Sequence, residues 1–149
     1  MGKMKLEPVF FVKENKLYKI EGSSPVDTQQ LEKIEILWSK IELEDGIYNE
    51  EFLASLREQL KSLEVQRKFA ILVPVIDKPL ENFEQIESFT NACNHTARRV
   101  KDCISVAGFE IPAQITDFQD FIEVLSKKHA QYVYFSHNKE IGDSSIVVY

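Results

Sequence analysis

A chain of 149 residues, 44% of them hydrophobic and 28% charged, has the length and apolar content of one folded domain and too balanced a composition to stay disordered. Its formal charge of −6 opposes general nucleic-acid binding, where a basic face is expected, and opposes docking on anionic lipid. No apolar run reaches the roughly 18 residues of a membrane-crossing helix, and the first residues carry neither the apolar stretch of a secretory signal nor, with Leu6 in place of Ser or Thr, a myristoylation pattern.

Residues 8–22 read as a β-hairpin that turns at Glu14-Asn15 and is closed by Gly22. Ser23-Ser24-Pro25 is a linker, and Asp27 to Gln30 a short helical turn. From Lys33 onward strands and helices alternate. Residues 33–39 predict a strand with Ile34, Ile36 and Trp38 on one face. Residues 42–46 predict an acidic turn, and Asn49 a cap for a helix whose Phe52, Leu53, Leu56, Leu60 and Leu63 recur every three or four positions. Residues 69–73 are continuously apolar, as a strand covered on both faces should be, and Pro74 is expected to end its ladder. A second helix over 82–102 carries the stripe Phe83, Ile86, Phe89, Cys93, Ala97 and Val100. Residues 104–109 form the next strand. Thr116 and Gln119 look like a capping box for a third helix bearing Phe118, Phe121, Ile122 and Leu125. Residues 132–135 and 146–149 complete the strands.

The expected fold is therefore α/β in a single domain over 1–149: an N-terminal hairpin (8–22), then β-α-β-α-β-α-β over 33–149 with a mainly parallel sheet. Such alternation implies parallel pairing through right-handed crossovers. The sheet is expected to be half-TIM-barrel-like or open and flavodoxin-like. The hairpin and the tail are the spare strands available to cover its edges. Cys93 and Cys103 fall inside apolar patterns, as reduced core thiols of a cytoplasmic protein do.

Chemical motifs are missing: no phosphate loop, serine elbow, zinc spacing or H-E-x-x-H occurs. No cofactor or metal is expected. Cys93 and His95, two apart on a helix, point away from each other and cannot share a metal. His95, Arg98, Arg99 and Asp102 form a polar helix face with an expected Arg–Asp pair. Topology is more useful, because ligands of parallel α/β sheets bind beyond the carboxyl ends of the strands. Those ends give Trp38, Ser39, Asp77, Glu110, Ser136 and His137. Trp38, Ser39, Asp77, Glu110 and His137 are the ligand-binding candidates, with Glu110 and Asp77 as candidates for acid–base work.

Two segments resemble a known group. Trp38-Ser-Lys-Ile-Glu-Leu-Glu-Asp-Gly-Ile-Tyr-Asn49 before an amphipathic helix is similar to the second-strand region of the (β/α)8 glycoside hydrolases of the endoglucanase clan. The run from Arg98 to Pro112 resembles the approach to that clan's fourth strand, whose Asn-Glu-Pro supplies the acid/base. Here Phe109 stands for the Asn, and Ile111 separates Glu110 from Pro112. The resemblance spans about half the chain, covers only a half barrel, and implies Glu110 as general acid/base.

Two functions are thus expected in contrast. One is a non-catalytic cytoplasmic domain that binds a protein or a small-molecule or carbohydrate ligand, with neither nucleic acid nor membrane as partner and a homodimer as a possible form. The other is a shortened glycoside-hydrolase-like enzyme acting through Glu110.

Overall fold

The structure, a computed structural model, describes residues 6–149. Strands β1 (Phe10–Lys13) and β2 (Lys16–Lys19) form the expected antiparallel hairpin. Its two turn residues, Glu14 and Asn15, both have positive φ, 53° and 64°, as in the turn type whose twist matches that of paired strands. A single 3-10 turn at Thr28–Gln30, capped by Asp27, leads into β3 (Glu32–Leu37).

Trp38 does not continue that strand. The chain breaks there into one helical turn, α1 (Trp38–Ile41), because the Ser39 N–H donates to Asp77 Oδ1 at 2.9 Å and the Trp38 indole reaches Glu42, four residues on. The acidic turn is likewise more ordered than expected. It is a small antiparallel hairpin of β4 (Glu42–Glu44) and β5 (Ile47–Tyr48) turning at Asp45-Gly46.

Helix α2 (Glu50–Val65) starts where expected, with Asn49 Oδ1 accepting from the Phe52 N–H at 3.1 Å. Strand β6 (Ala70–Val75) contains Pro74 in its interior. Pairing with β3 runs on to Val75, whereas pairing on the other side stops at Leu72, so the missing proline N–H falls where that side has no partner. Helix α3 (Phe83–Arg99) is capped by Asn82, and its Phe89, Cys93 and Ala97 are fully buried. Phe83 departs from the expected stripe: it is 73% exposed and belongs to neither core cluster.

Strand β7 (Val106–Glu110) begins after an exposed Ile104. Helix α4 (Phe118–Ser126) is capped by Asp117 rather than Thr116. The Asp117 carboxylate takes the Asp120 N–H, and the Gln119 amide turns instead to Asp143 Oδ2 at 2.7 Å. Strands β8 (Val133–Ser136) and β9 (Val147–Val148) follow.

The main sheet has the order β3-β6-β7-β8-β9, and every neighbouring pair is parallel. It is open and its strands follow chain order, so the order reversal of a flavodoxin-like sheet is absent. Ile34, Leu72, Phe109 and Tyr134 form one register row across it. Their face meets Leu56 and Leu60 of α2, Phe89 and Cys93 of α3, and Phe121 and Leu125 of α4. The opposite face, with Ile71, Ala107, Phe135 and Val147, is covered by Phe10 and Leu17 of the β1–β2 hairpin and by Leu31. Helices thus occupy one side and the hairpin the other.

A bulge sits where Ala70 pairs with Val106 but Ile71 pairs with Gly108. The residue inserted there, Ala107, turns to the hairpin side, so Val106 and Phe109, three apart, both face the helices. Gly108 is required beside it, since a Cβ there would lie 1.6 Å from the Val133 carbonyl oxygen.

The hairpin lies on a sheet face and not along an edge, contrary to expectation. Its turn bonds to the chain beside the edge strand β9. The Asn15 amide donates to the Asp143 and Ile146 carbonyls at 2.7 and 2.8 Å, and its main chain exchanges bonds with Ser144 and Val148 beside β9. Cys93 and Cys103 are buried free thiols. Among the described residues no helix is long and apolar enough to cross a membrane.

Candidate functional site

The strand-end residues fall into two groups on opposite faces of the sheet. Trp38 begins α1 on the helix side, in the cluster that contains Phe89. Glu110 reaches Tyr149, whose ring packs on Phe135 in the hairpin-side cluster. Alternation along a strand produces this divergence, because residues one apart point to opposite faces. No hydrogen bond or ion pair among the described residues joins the two groups.

The helix-side group is built around Glu42, which is only 2% exposed. A carboxylate taken out of water must find donors, and three groups donate to this one. The Trp38 indole N–H donates to Oε1 at 2.7 Å, the Gly46 N–H to Oε2 at 2.9 Å, and the Ser88 hydroxyl bridges both oxygens at 3.1 and 3.2 Å. Lys78 Nζ stands 3.9 Å away and donates to the Glu42 main-chain oxygen at 2.7 Å. The same ammonium lies over the Trp38 ring, 5.1 Å from its centroid, a position that the ring's negative face favours. Trp38 itself is 3% exposed and meets Phe89 edge to face. It is therefore a buried anchor and not the open platform that a sugar ring would stack on. Burial, and then the negative charge of Glu42 and Asp45, raise the pKa of the Tyr48 phenol on the neighbouring strand, keeping it neutral.

Ser39 and Asp77 complete this group. The Ser39 hydroxyl and N–H both donate to the Asp77 carboxylate. A serine nucleophile needs a base to take its proton and a third group to orient that base, and no imidazole stands between this pair. The contact instead ties the β3–α1 corner to the end of β6. Beside it, Glu42, Asp45, Lys78, Asn82, Glu84, Gln85 and Ser88 border an open depression of about 310 Å³.

On the hairpin side, Glu110 Oε1 accepts from the Tyr149 hydroxyl and lies 3.1 Å from His137 Nε2. His137 stacks on the Tyr149 ring with centroids 4.2 Å apart, and its Nδ1 faces the Tyr149 main-chain oxygen at 2.6 Å. Burial first, and then the bond to Glu110, push the Tyr149 phenol well above its ordinary range. Glu110 and His137, both expected at the site, are thus brought together; Trp38, Ser39 and Asp77 are brought together elsewhere.

Sequence reasoning missed Glu42, Lys78, Ser88 and Tyr149. The Trp38–Glu42 spacing of four was a usable signal for one helical turn. The polar face expected over His95 to Asp102 is also partnered differently: His95 and Arg99 bind Glu50, and Asp102, past the end of α3, binds Arg57 of α2 rather than a neighbouring arginine. Among the described residues no group of three or more His, Cys, Asp or Glu is placed to hold a metal ion. Comparison of the chain with known protein families and with curated proteins finds no match in either.

Proposed function

We propose that this chain is a non-catalytic binding domain that acts through protein or ligand contacts at the carboxyl-end surface of its sheet. One observation carries the reading: the strand-end carboxylates are already bonded to the chain's own groups. Asp77 holds Ser39, Glu42 holds Trp38, Gly46 and Ser88, and Glu110 holds Tyr149 beside His137. A general acid or base must have a proton path to the substrate, and these groups are turned to structural partners.

The competing reading is a shortened glycoside-hydrolase-like enzyme with Glu110 as general acid/base. It draws on the resemblance, on a half-barrel-like layout of βα units, and on the partial exposure of the Glu110 side chain, 14%. It needs a second carboxyl within about 5–10 Å of the first. Asp77 lies five residues past Leu72 on β6, while Glu110 lies one past Phe109, the register partner of Leu72, and the two belong to separate bonded groups. The buried free thiols fit a cytoplasmic setting.

The two readings separate on one assay. The chain is incubated with aryl glycosides and soluble β-glucans, alongside its Glu110→Gln variant, and released phenol and reducing sugar are measured. The expected result is no release above buffer from either protein. Release by the wild type that Glu110→Gln abolishes, in a folded variant, would overturn the binding-domain reading.

A further inference from the structure

The two edges of the main sheet are finished differently. At β9, a strand of two residues, the hairpin turn supplies a partner: the Asn15 N–H donates to the Ser144 oxygen at 3.0 Å, and the Val148 N–H donates to the Asn15 oxygen at 3.1 Å. At the other edge β3 runs for six residues and pairs with β6 alone. The Glu32 N–H donates to the Phe69 oxygen at 2.9 Å. Glu32, Ile34 and Ile36 therefore turn their main-chain groups to β6, and Lys33 and Glu35, by the alternation of a strand, turn theirs outward. Among the described residues no main-chain group meets Lys33 or Glu35 on that outer side.

A bare edge is a template for another strand, and the order of side chains on this one selects its own copy. Ile34 and Ile36 project to the helix side, while Lys33 and Glu35, in register with Ile71 and Val73, project to the hairpin side. When two β3 edges pair antiparallel about a twofold axis, each hydrogen-bonded pair must join residues that face outward, so the allowed registers differ by steps of two. In the register centred on Ile34, each Lys33 stands opposite Glu35 of the other copy, and Ile34 meets Ile34. A slide one way sets Lys33 against Lys33, and a slide the other way sets Glu35 against Glu35. The middle register alone joins opposite charges, and it does so twice. Such a pair closes on itself, and the capped β9 edges offer no place to add a further copy.

We propose that two copies of this chain pair through antiparallel β3 edges centred on Ile34, joining five strands from each copy into one continuous sheet. Lys33 Nζ, which lies over the Tyr149 ring at 5.4 Å from its centroid in the single chain, trades that contact for the Glu35 carboxylate of the second copy. The pairing is independent of what the strand-end surface binds.

The test is sedimentation and light scattering of the full chain from about 1 μM to about 1 mM, with amide hydrogen exchange read at both ends of that range. A monomer–dimer equilibrium with its midpoint inside the range is expected. The Lys33 and Glu35 amides should exchange more slowly as concentration rises, whereas those of Ile34 and Ile36, already bonded to β6, should not change. Lys33→Glu sets like charges opposite each other twice and should weaken the dimer about tenfold or more, and Lys33→Glu/Glu35→Lys should restore it. Both positions are exposed, so neither change disturbs the core. Glu35→Pro removes an outward N–H and no bond to β6; it should abolish the dimer, and it gives the same test should the charge variants misfold. A monomer throughout the range, an oligomer larger than a dimer, a dimer whose Lys33 and Glu35 amides exchange as fast as the monomer's, or a folded double variant as weak as Lys33→Glu would each overturn the proposal. Each of these outcomes leaves the binding-domain reading standing, because the glycoside assay alone decides that.

Discussion

Tyr149 concentrates several forces on one hydroxyl. Burial and the bond to Glu110 favour the neutral phenol in the folded chain, raising its pKa above the ordinary 10.0. A group raised in this way stabilises the fold fully below its unfolded value, and that contribution is lost as pH climbs above it. Unfolding midpoints in urea should therefore hold up to about pH 10 and fall progressively as pH rises beyond it. Tyr149→Phe should flatten that fall while costing about 1 kcal/mol at neutral pH for the lost hydrogen bond. Part of the alkaline limb should survive, because burial also raises Tyr132 and Tyr134. The carboxylates work in the opposite direction. A bond from Arg57 lowers Asp102, and a bond from Arg99 lowers Glu50, below their ordinary 3.8 and 4.5. Their contribution is present above those values and is lost as pH falls through the lowered ones. In Arg57→Gln, the Asp102 carboxyl should titrate closer to 3.8, as read from carboxyl carbon shifts.

Among the elements, the β7–β8 contact tolerates the least change. Gly108 lets the β7 backbone approach Val133 closely, and Gly108→Ala should cost at least the roughly 1–3 kcal/mol of ordinary overpacking, measured as a lowered denaturant midpoint. Phe89, fully buried between Trp38 and Phe121, should cost about 3–5 kcal/mol as Phe89→Ala, at unchanged denaturant slope. Elements of this kind were legible in the sequence, because their signal is local. The apolar run of β6 and the three-and-four spacing of α2 and α3 each follow from the face that the segment buries. Trp38 was not legible, since its alternation with Ile34 and Ile36 continues a strand pattern. What ends that strand is Asp77, distant in sequence, bonding the Ser39 main chain. Glu42 was hidden for a related reason. An acidic run reads as a solvated turn unless the donors that surround one of its members are known, and Gly46, Ser88 and Trp38 become neighbours only in the fold. The site candidates failed to converge because strand ends were read without the faces they point to, and Trp38 and Glu110 emerge on opposite sides of the sheet.

In the molecule as a whole, the strands of the main sheet lie side by side in chain order, and one residue closes the arrangement. Asn15 bonds to Asp143 and Ile146, 128 and 131 positions away, with a positive φ that asparagine tolerates better than most residues. Asn15→Ala should destabilise by about 2 kcal/mol. If the clasp forms after the rate-limiting step, the loss should appear as faster unfolding at an unchanged folding rate in stopped-flow chevrons. Strand order has a consequence for synthesis as well. A growing chain can pair β3 with β6, then β7, then β8, each strand meeting its neighbour as it leaves the ribosome. The hairpin precedes the sheet in the chain, yet Phe135 and Val147, which complete its seat, are made only after β3, β6 and β7. Until then Phe10, Leu17 and the bare face of the nascent sheet share the same water, so the hairpin waits for its seat until the strands that follow it are built.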